Sequence, residues 1–254
     1  MIATTLAVNA GVTLAAVALT FAIAMARKRW DTIDTFWGLG FAIVAVTSFA
    51  VADTPFALAA LTVIWGVRLA VHLHLRNHGL PEDPRYVKMA KRMGPNPALP
   101  MFLRVYLLQA VILWFVSLPI QLASGWGWVS WLGVVVWIVG FAFETVGDDQ
   151  LRRFKADPAN KGKVLDTGLW RYTRHPNYFG DACLWWGLYL MACTTWTGAA
   201  MILSPIVMTY LLAKGTGKPL LEKGMRRSRP GYAYYVERTS GFFPLPPRKN
   251  VTPR

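Results

Sequence analysis

The chain has 254 residues, 54% of them hydrophobic and only 16% charged, and its mean hydropathy is positive, a balance that excludes an ordinary soluble domain. Its formal charge of +14 suggests a nucleic-acid binder only until the cations are placed, because a membrane protein gathers Lys and Arg on one side of the bilayer. The apolar residues fall in blocks able to cross a bilayer, which takes roughly 17 to 25 residues of helix.

In chain order, spans are expected at 5–25, 35–51, 55–75, 101–123, 128–145, 178–195 and 196–213, followed by a tail over 214–254. The expected fold class is thus all-α, a polytopic integral membrane protein of about seven helices forming one domain over 1–254. The first block carries Arg27, Lys28 and Arg29 after its apolar stretch and no basic leader before it, so it reads as a retained span rather than a secretory signal. Cations also follow the third block (Arg76 to Arg92), the fifth (Arg152 to Arg174) and the seventh (Lys214 to Arg254), whereas the turns around Asp53, at 125–127 and at 194–197 hold no Lys or Arg. That asymmetry puts the N-terminus outside and the C-terminus in the cytoplasm. Arg68 and Arg104 lie within spans but near their basic ends, close enough to snorkel. Cys183 and Cys193 are ten residues apart on one expected helix, about 15 Å at 1.5 Å per residue, too far to bridge. A cysteine metal site has no support, and no metal is expected.

The inside connections are long and rich in turn residues, with GLPEDP and GPNPALP between the third and fourth spans and DPANKGKVLDTGL between the fifth and sixth. In the tail, SRPGYAYYVERTSGFFPLPP alternates aromatic residues with charge. Such a segment is expected to return to the membrane surface, with Tyr232, Tyr235, Phe242 and Phe243 at the interface; on the plainer reading about half of the tail charges do no more than bind anionic headgroups.

Ionisable groups within or beside spans are few, and each is a functional candidate because its burial in lipid is unfavourable. Asp34 opens the second span; Arg68, His72 and His74 occupy the inner end of the third; Glu144, Asp148 and Asp149 close the fifth; Asp181 lies just inside the sixth. Glu144 and Asp148 share a helix face four residues apart, as do Asp148 and Arg152, and Asn177 and Asp181. Between these helices, seven Lys or Arg stand against two acids from Arg152 to Arg174, a density suited to a ligand carrying several phosphates. Against this stands the plainer reading that inside loops are basic by topology alone. Likewise Trp37, Trp65, Trp185 and Trp186 serve packing or the interface before ligand contact, His175 can cap the helix that Pro176 opens, and RPGY can be a surface turn.

GLWRYTRHPNYFGD at residues 168–181 closely resembles the signature shared by steroid 5α-reductases, sterol reductases and isoprenylcysteine carboxyl methyltransferases. DTFWGLGF at 34–41, EDPRY at 82–86 and RPGYAYYVERTSGFFP at 229–244 extend the likeness to the bacterial steroid 5α-reductase-like group over nearly the whole chain. The resemblance implies a bacterial inner-membrane protein whose pocket for a nucleotide cofactor faces the cytoplasm, with a lipid-soluble substrate arriving from the bilayer. In the reductases that cofactor is NADPH. Carried onto matching positions, Glu144 and Asp148 meet the nicotinamide or ribose, although the reductases commonly have Asn at the position of Glu144. Arg152, Arg171, Tyr172, Arg174, His175, Asn177 and Asp181 line the cofactor, and Arg226, Arg227, Tyr235 and Arg238 close over its adenosine and phosphates.

The reductases polarise the substrate carbonyl with a Tyr in the third span and a Glu in the second. This chain has no Tyr in the third span, leaving Asp34 and His72 as catalytic candidates. The function implied is NADPH-dependent reduction of an activated C=C bond in a steroid-like or other lipid. The alternative is an S-adenosylmethionine-dependent methyltransferase, which the cationic loop disfavours because that cofactor has no phosphate and a cationic sulfur. The methyltransferases also tend to carry a Glu pair in the tail, where this chain has Glu222 followed by Lys223. A transporter or structural role is the third class, without the paired interrupted helices that alternating access uses. Membrane lipids are expected partners and nucleic acid is not.

Overall fold

A computed structural model describes residues 2–215 and 217–248, without the side chain at 220. The tail expected over 214–254 therefore falls partly outside the described residues, at 216 and 249–254. Among the described residues every regular element is helical, and the one β-type contact is an isolated parallel bridge between Thr173 and Ser240. The helices are α1 (Ile2–Arg27), α2 (Thr32–Val51), α3 (Phe56–Asn77), α4 (Pro84–Arg92), α5 (Ala98–Val116, with a π-helical stretch at Phe102–Tyr106), α6 (Leu118–Leu122), α7 (Trp128–Ala156), α8 (Pro176–Ala192), α9 (Trp196–Ala213), α10 (Lys218–Ser228) and α11 (Tyr232–Arg238).

Six of these, α1, α2, α3, α5, α7 and α9, are long and apolar enough to cross a membrane. The expected fourth span stops at Val116 instead of 123, since Ser117 leaves helical geometry and Pro119 starts the separate α6. The expected sixth span becomes α8, 17 residues long, at the lower limit of spanning length. It ends before Thr195, whose hydroxyl caps α9 by accepting from the Gly198 N–H. α9 itself bends at Met201.

The chain forms two compact units, Met1–Ser130 with Met191–Ser204 and Trp131–Leu190 with Pro205–Arg254. In the first, α1 has its polarity inside out. Its buried residues are Thr5, Asn9, Thr13, Val17, Thr20 and Ala24, while Leu14, Leu19 and Ile23 are exposed. A helix in water would reverse this; in lipid the apolar side chains face the solvent, and small or polar ones make the helix contacts. Asn9 accordingly donates to Ser48 on α2 at 3.0 Å. α2 packs most extensively on α3, where Gly38 and Gly66 abut so closely that a Cβ on Gly38 would lie 2.3 Å from the Gly66 carbonyl oxygen. Phe41 and Trp65 fill the adjoining core, rings 5.6 Å apart.

The second unit uses the same device. A Cβ on Gly140 of α7 would come within 2.6 Å of the Gly180 carbonyl of α8, and one on Gly180 within 2.4 Å of the Glu144 amide nitrogen. Gly147 likewise faces Pro176 and Asn177. Three glycines thus let two backbones meet along a seam that carries most of this unit's buried acids.

Candidate functional site

In the first unit, polar groups gather where α2 begins. Arg29 grips Asp31 with two hydrogen bonds, Nε to Oδ1 at 3.1 Å and Nη2 to Oδ2 at 2.8 Å, and donates to the Leu80 carbonyl at 2.7 Å. Asp31 also accepts from the Asp83 amide at 3.1 Å. Burial alone would raise the Asp31 carboxyl, but the bonds from Arg29 and the Asp83 amide overrule it and hold it below its ordinary value. The loop with EDPRY is thereby tied to the foot of α2. Tyr86, on α4, donates its O–H to Asp34 at 2.5 Å, and Arg85 stands 3.6 Å from the same carboxylate. Burial, then the Asp34 charge, pushes the Tyr86 phenol well above its usual range.

Asp34 is thereby pinned to the loop as the acceptor for Tyr86. Tyr86 and Arg85 were not singled out from the sequence as site residues, since a Tyr in a hydrophilic loop carries no helical register that would aim it at a span. His72 lies half-buried on α3.

In the second unit, Glu144 and Asp148 are buried on α7, and Asp181 on α8. The amide of Asn177 donates to Asp148 Oδ1 at 3.1 Å, while its own oxygen accepts from the Tyr178 N–H at 3.1 Å. The glycine seam explains the pairing, because α8 can present Asn177 to Asp148 only with Gly147 opposite. Arg152, one turn beyond Asp148, pairs instead with Asp149, which also takes Arg153 at 2.7 Å.

The TRH stretch behaves differently from its reading as a cofactor lining. Arg174 is buried; its Nε donates to Glu222 Oε1 at 2.9 Å, and its Nη1 to the carbonyls of Val236, at 3.1 Å, and Thr239. His175, also buried, donates from Nε2 to the same carboxylate oxygen at 3.1 Å and stacks on Tyr178, centroids 5.4 Å apart. Burial holds the imidazole below its usual value despite Glu222, so at neutral pH it is an uncharged donor. Burial would raise Glu222, but His175 and Arg174 bring it down to about 2. Glu222 is thus the acid that fastens the tail to the segment before α8; in the sequence it is one of two acids, with Glu237, among the tail cations.

Tyr235 is buried and donates to the Trp170 carbonyl at 2.5 Å. Tyr232 and Phe242 are buried as well. Of the four aromatic residues expected at the membrane surface, only Phe243 is exposed; the others form the packing between tail and signature loop. Arg226 and Arg227 are exposed on α10. Arg171, Tyr172 and Arg238 come together with Tyr234, Pro246, Pro247 and Arg248 around a cleft of about 540 Å³.

Six membrane-length helices in an all-α fold define an integral membrane protein. The chain belongs to the family described as "Protein of unknown function (DUF1295)", which it matches over residues 20–239. It is similar to an uncharacterized protein of Schizosaccharomyces pombe, 23% identical over 249 residues that cover 85% of this chain and 71% of that one. No solved structure matches it.

Proposed function

We propose that this protein is an NADPH-dependent reductase of an activated C=C bond in a lipid, of the steroid 5α-reductase-like type. The observation that carries the reading is the Asp148–Asn177 pair beside buried Glu144 and Asp181. Carboxylates accept from ribose hydroxyls and from a carboxamide N–H, and the Asn177 amide has a second N–H to offer. Phosphates need cations, and Arg226 and Arg227 are exposed where a ligand can reach them. The donor set therefore fits the cofactor, which when bound supplies a hydride. The part of the chain is to bind and orient it, to exclude water by burial in the bilayer, and to steady negative charge developing on the substrate oxygen.

For that last role the expected residues remain Asp34 and His72. Asp34 and Tyr86 hold a proton between them across their hydrogen bond, and that pair is the expected donor. Asp34→Asn is then expected to lower turnover and leave nucleotide affinity nearly unchanged; lost nucleotide binding would move Asp34 into the cofactor site.

A second reading has one observation in its favour. Buried Glu144, Asp148 and Asp181 would also suit a cationic sulfur, as in an S-adenosylmethionine-dependent methyltransferase. Titrating NADPH, NADH and S-adenosylmethionine against the detergent-purified protein separates the two. NADPH is expected to bind tightest, and tight S-adenosylmethionine binding with none for NADPH would replace the reductase reading.

The topology that goes with this function has α8 as a short seventh span, the N-terminus outside, the C-terminus in the cytoplasm and the membrane a bacterial inner one. It rests on the absence of Lys and Arg around Asp53, at 125–127 and at 194–197. Reporter fusions after Asp53, Gly125 and Thr197 should all read outside, and one cytoplasmic signal defeats the arrangement.

A further inference from the structure

The cleft of about 540 Å³ in the second unit is lined by Arg171, Arg238 and Arg248, by Tyr172 and Tyr234, and by Pro246 and Pro247. It is a built feature. The Leu245 N–H donates to the Tyr172 carbonyl and the Arg248 N–H to the Arg238 carbonyl, each at 3.0 Å, so the strap over 242–248 is fixed between the signature loop and the end of α11. Thr173 reinforces it by donating to the Phe242 carbonyl at 2.8 Å.

Three arginines and two tyrosines lining one space suit a phosphate. Two features of the strap choose the kind of ligand. First, it offers few backbone donors: Pro246 and Pro247 have no N–H, and the amides of Leu245 and Arg248 are already used. Recognition therefore falls to long side chains, which fit a variable headgroup better than a fixed pyrophosphate.

Second, the rim is greasy. Phe243 is 64% and Leu245 55% exposed, and Phe243 packs against Phe179 in the first turns of α8, centroids 6.1 Å apart, which in turn meets Phe143 of the membrane-length α7 at 5.1 Å. Phe143 lies two residues before 145, the expected inner end of the fifth span, so these rings link the exposed apolar surface to the expected headgroup level. Apolar side chains beside cations are the pattern of an interfacial anchor.

We infer that this cleft binds the phosphate of an anionic phospholipid headgroup, with Phe243 and Leu245 dipping among the acyl chains. It would clamp the tail to the bilayer. The inference does not depend on the reductase reading, and it takes Arg171, Tyr172 and Arg238 away from the nucleotide.

The test is native mass spectrometry of the full-length protein in mixed micelles of phosphatidylglycerol and phosphatidylcholine with identical acyl chains. Glycerol phosphate and inorganic phosphate serve as soluble competitors, and nucleotide titration runs in parallel. The wild type should retain phosphatidylglycerol preferentially. The triple variant Arg171→Gln, Arg238→Gln, Arg248→Gln should lose roughly a hundredfold of that preference, at about fivefold per arginine, with any nucleotide affinity unchanged. Leu245→Ser, a change at an exposed side chain that keeps the backbone bond, should weaken retention of both lipids and keeps the idea testable if the triple variant does not fold. A preference surviving the triple change, displacement of the lipid by millimolar soluble phosphate, or a parallel fall in nucleotide affinity would each overturn the assignment.

Discussion

Glu222→Ala is expected to lower stability by about 3 to 5 kcal/mol, the usual consequence of stripping one partner from a buried ion pair. The carboxylate is the anion beside the buried Arg174 guanidinium and the acceptor for His175, so its loss leaves a positive charge in the interior. Glu222→Gln should be milder, because the amide oxygen still accepts one bond. Thermal unfolding in detergent and the rate of proteolysis within 218–238 report the effect. A loss under about 1 kcal/mol, the scale of an exposed pair, would mean that the Val236 and Thr239 carbonyls suffice for Arg174.

The same cluster fixes the direction of the pH dependence. Glu222 has its pKa depressed on folding, to about 2, against an ordinary value of about 4.3. Its contribution is therefore complete above the unfolded value and drains away as pH falls between them. His175 is depressed as well, by burial; the unfolded chain takes up its proton first, and stability declines as pH drops below about 6.5. The protein should be most stable between neutral pH and about 10, above which unfolded tyrosines ionise while buried Tyr86, Tyr232 and Tyr235 resist. It should lose stability on acidification, with the lowest part of that decline abolished in Glu222→Ala.

How much of this was legible in the sequence depends on whether one residue's neighbours or two distant segments decide the outcome. Bilayer-length blocks announce helices because lipid leaves the backbone no other solution, and six of them form helices of spanning length. The face each helix buries was harder to read. On α1 the buried stripe is Thr, Asn, Val and Ala, and only the rule that small and polar residues make contacts in lipid would have found it. Asn177 and Asp148 were singled out by type, yet their hydrogen bond depends on Gly147, 30 residues before Asn177, opening room for α8. Arg174 shows the opposite failure. In a cationic loop it reads as a phosphate ligand, and only the tail, folding back to offer Glu222 and two carbonyls, makes it structural. Tyr232, Tyr235 and Phe242 were misjudged for the same reason: an amphipathic tail looks alike whether its aromatic side packs on lipid or on protein.

NADPH should bind roughly ten- to a hundredfold tighter than NADH, and two substitutions should act on that gap in different ways. A 2′-phosphate adds about 1.5 to 2 negative charges, by analogy with other phosphomonoesters, and charge-assisted contacts to it are worth ~1.5 to 3 kcal/mol. Asn177 is neutral and bonded to Asp148, so it contributes to ring or ribose and not to phosphate. Asn177→Ala should weaken both nucleotides by the same factor. Arg226 and Arg227 lie exposed on α10, one turn beyond the buried Glu222, so replacing both with Gln leaves that anchor in place. The double change should weaken NADPH while leaving NADH nearly untouched, closing most of the gap. Isothermal titration of the four combinations, at fixed ionic strength because exposed cations are screened by salt, decides the matter. If the double variant weakens NADH as much as NADPH, these arginines serve the shared pyrophosphate; if it alters neither, the phosphates lie elsewhere and the tail does not close over the nucleotide.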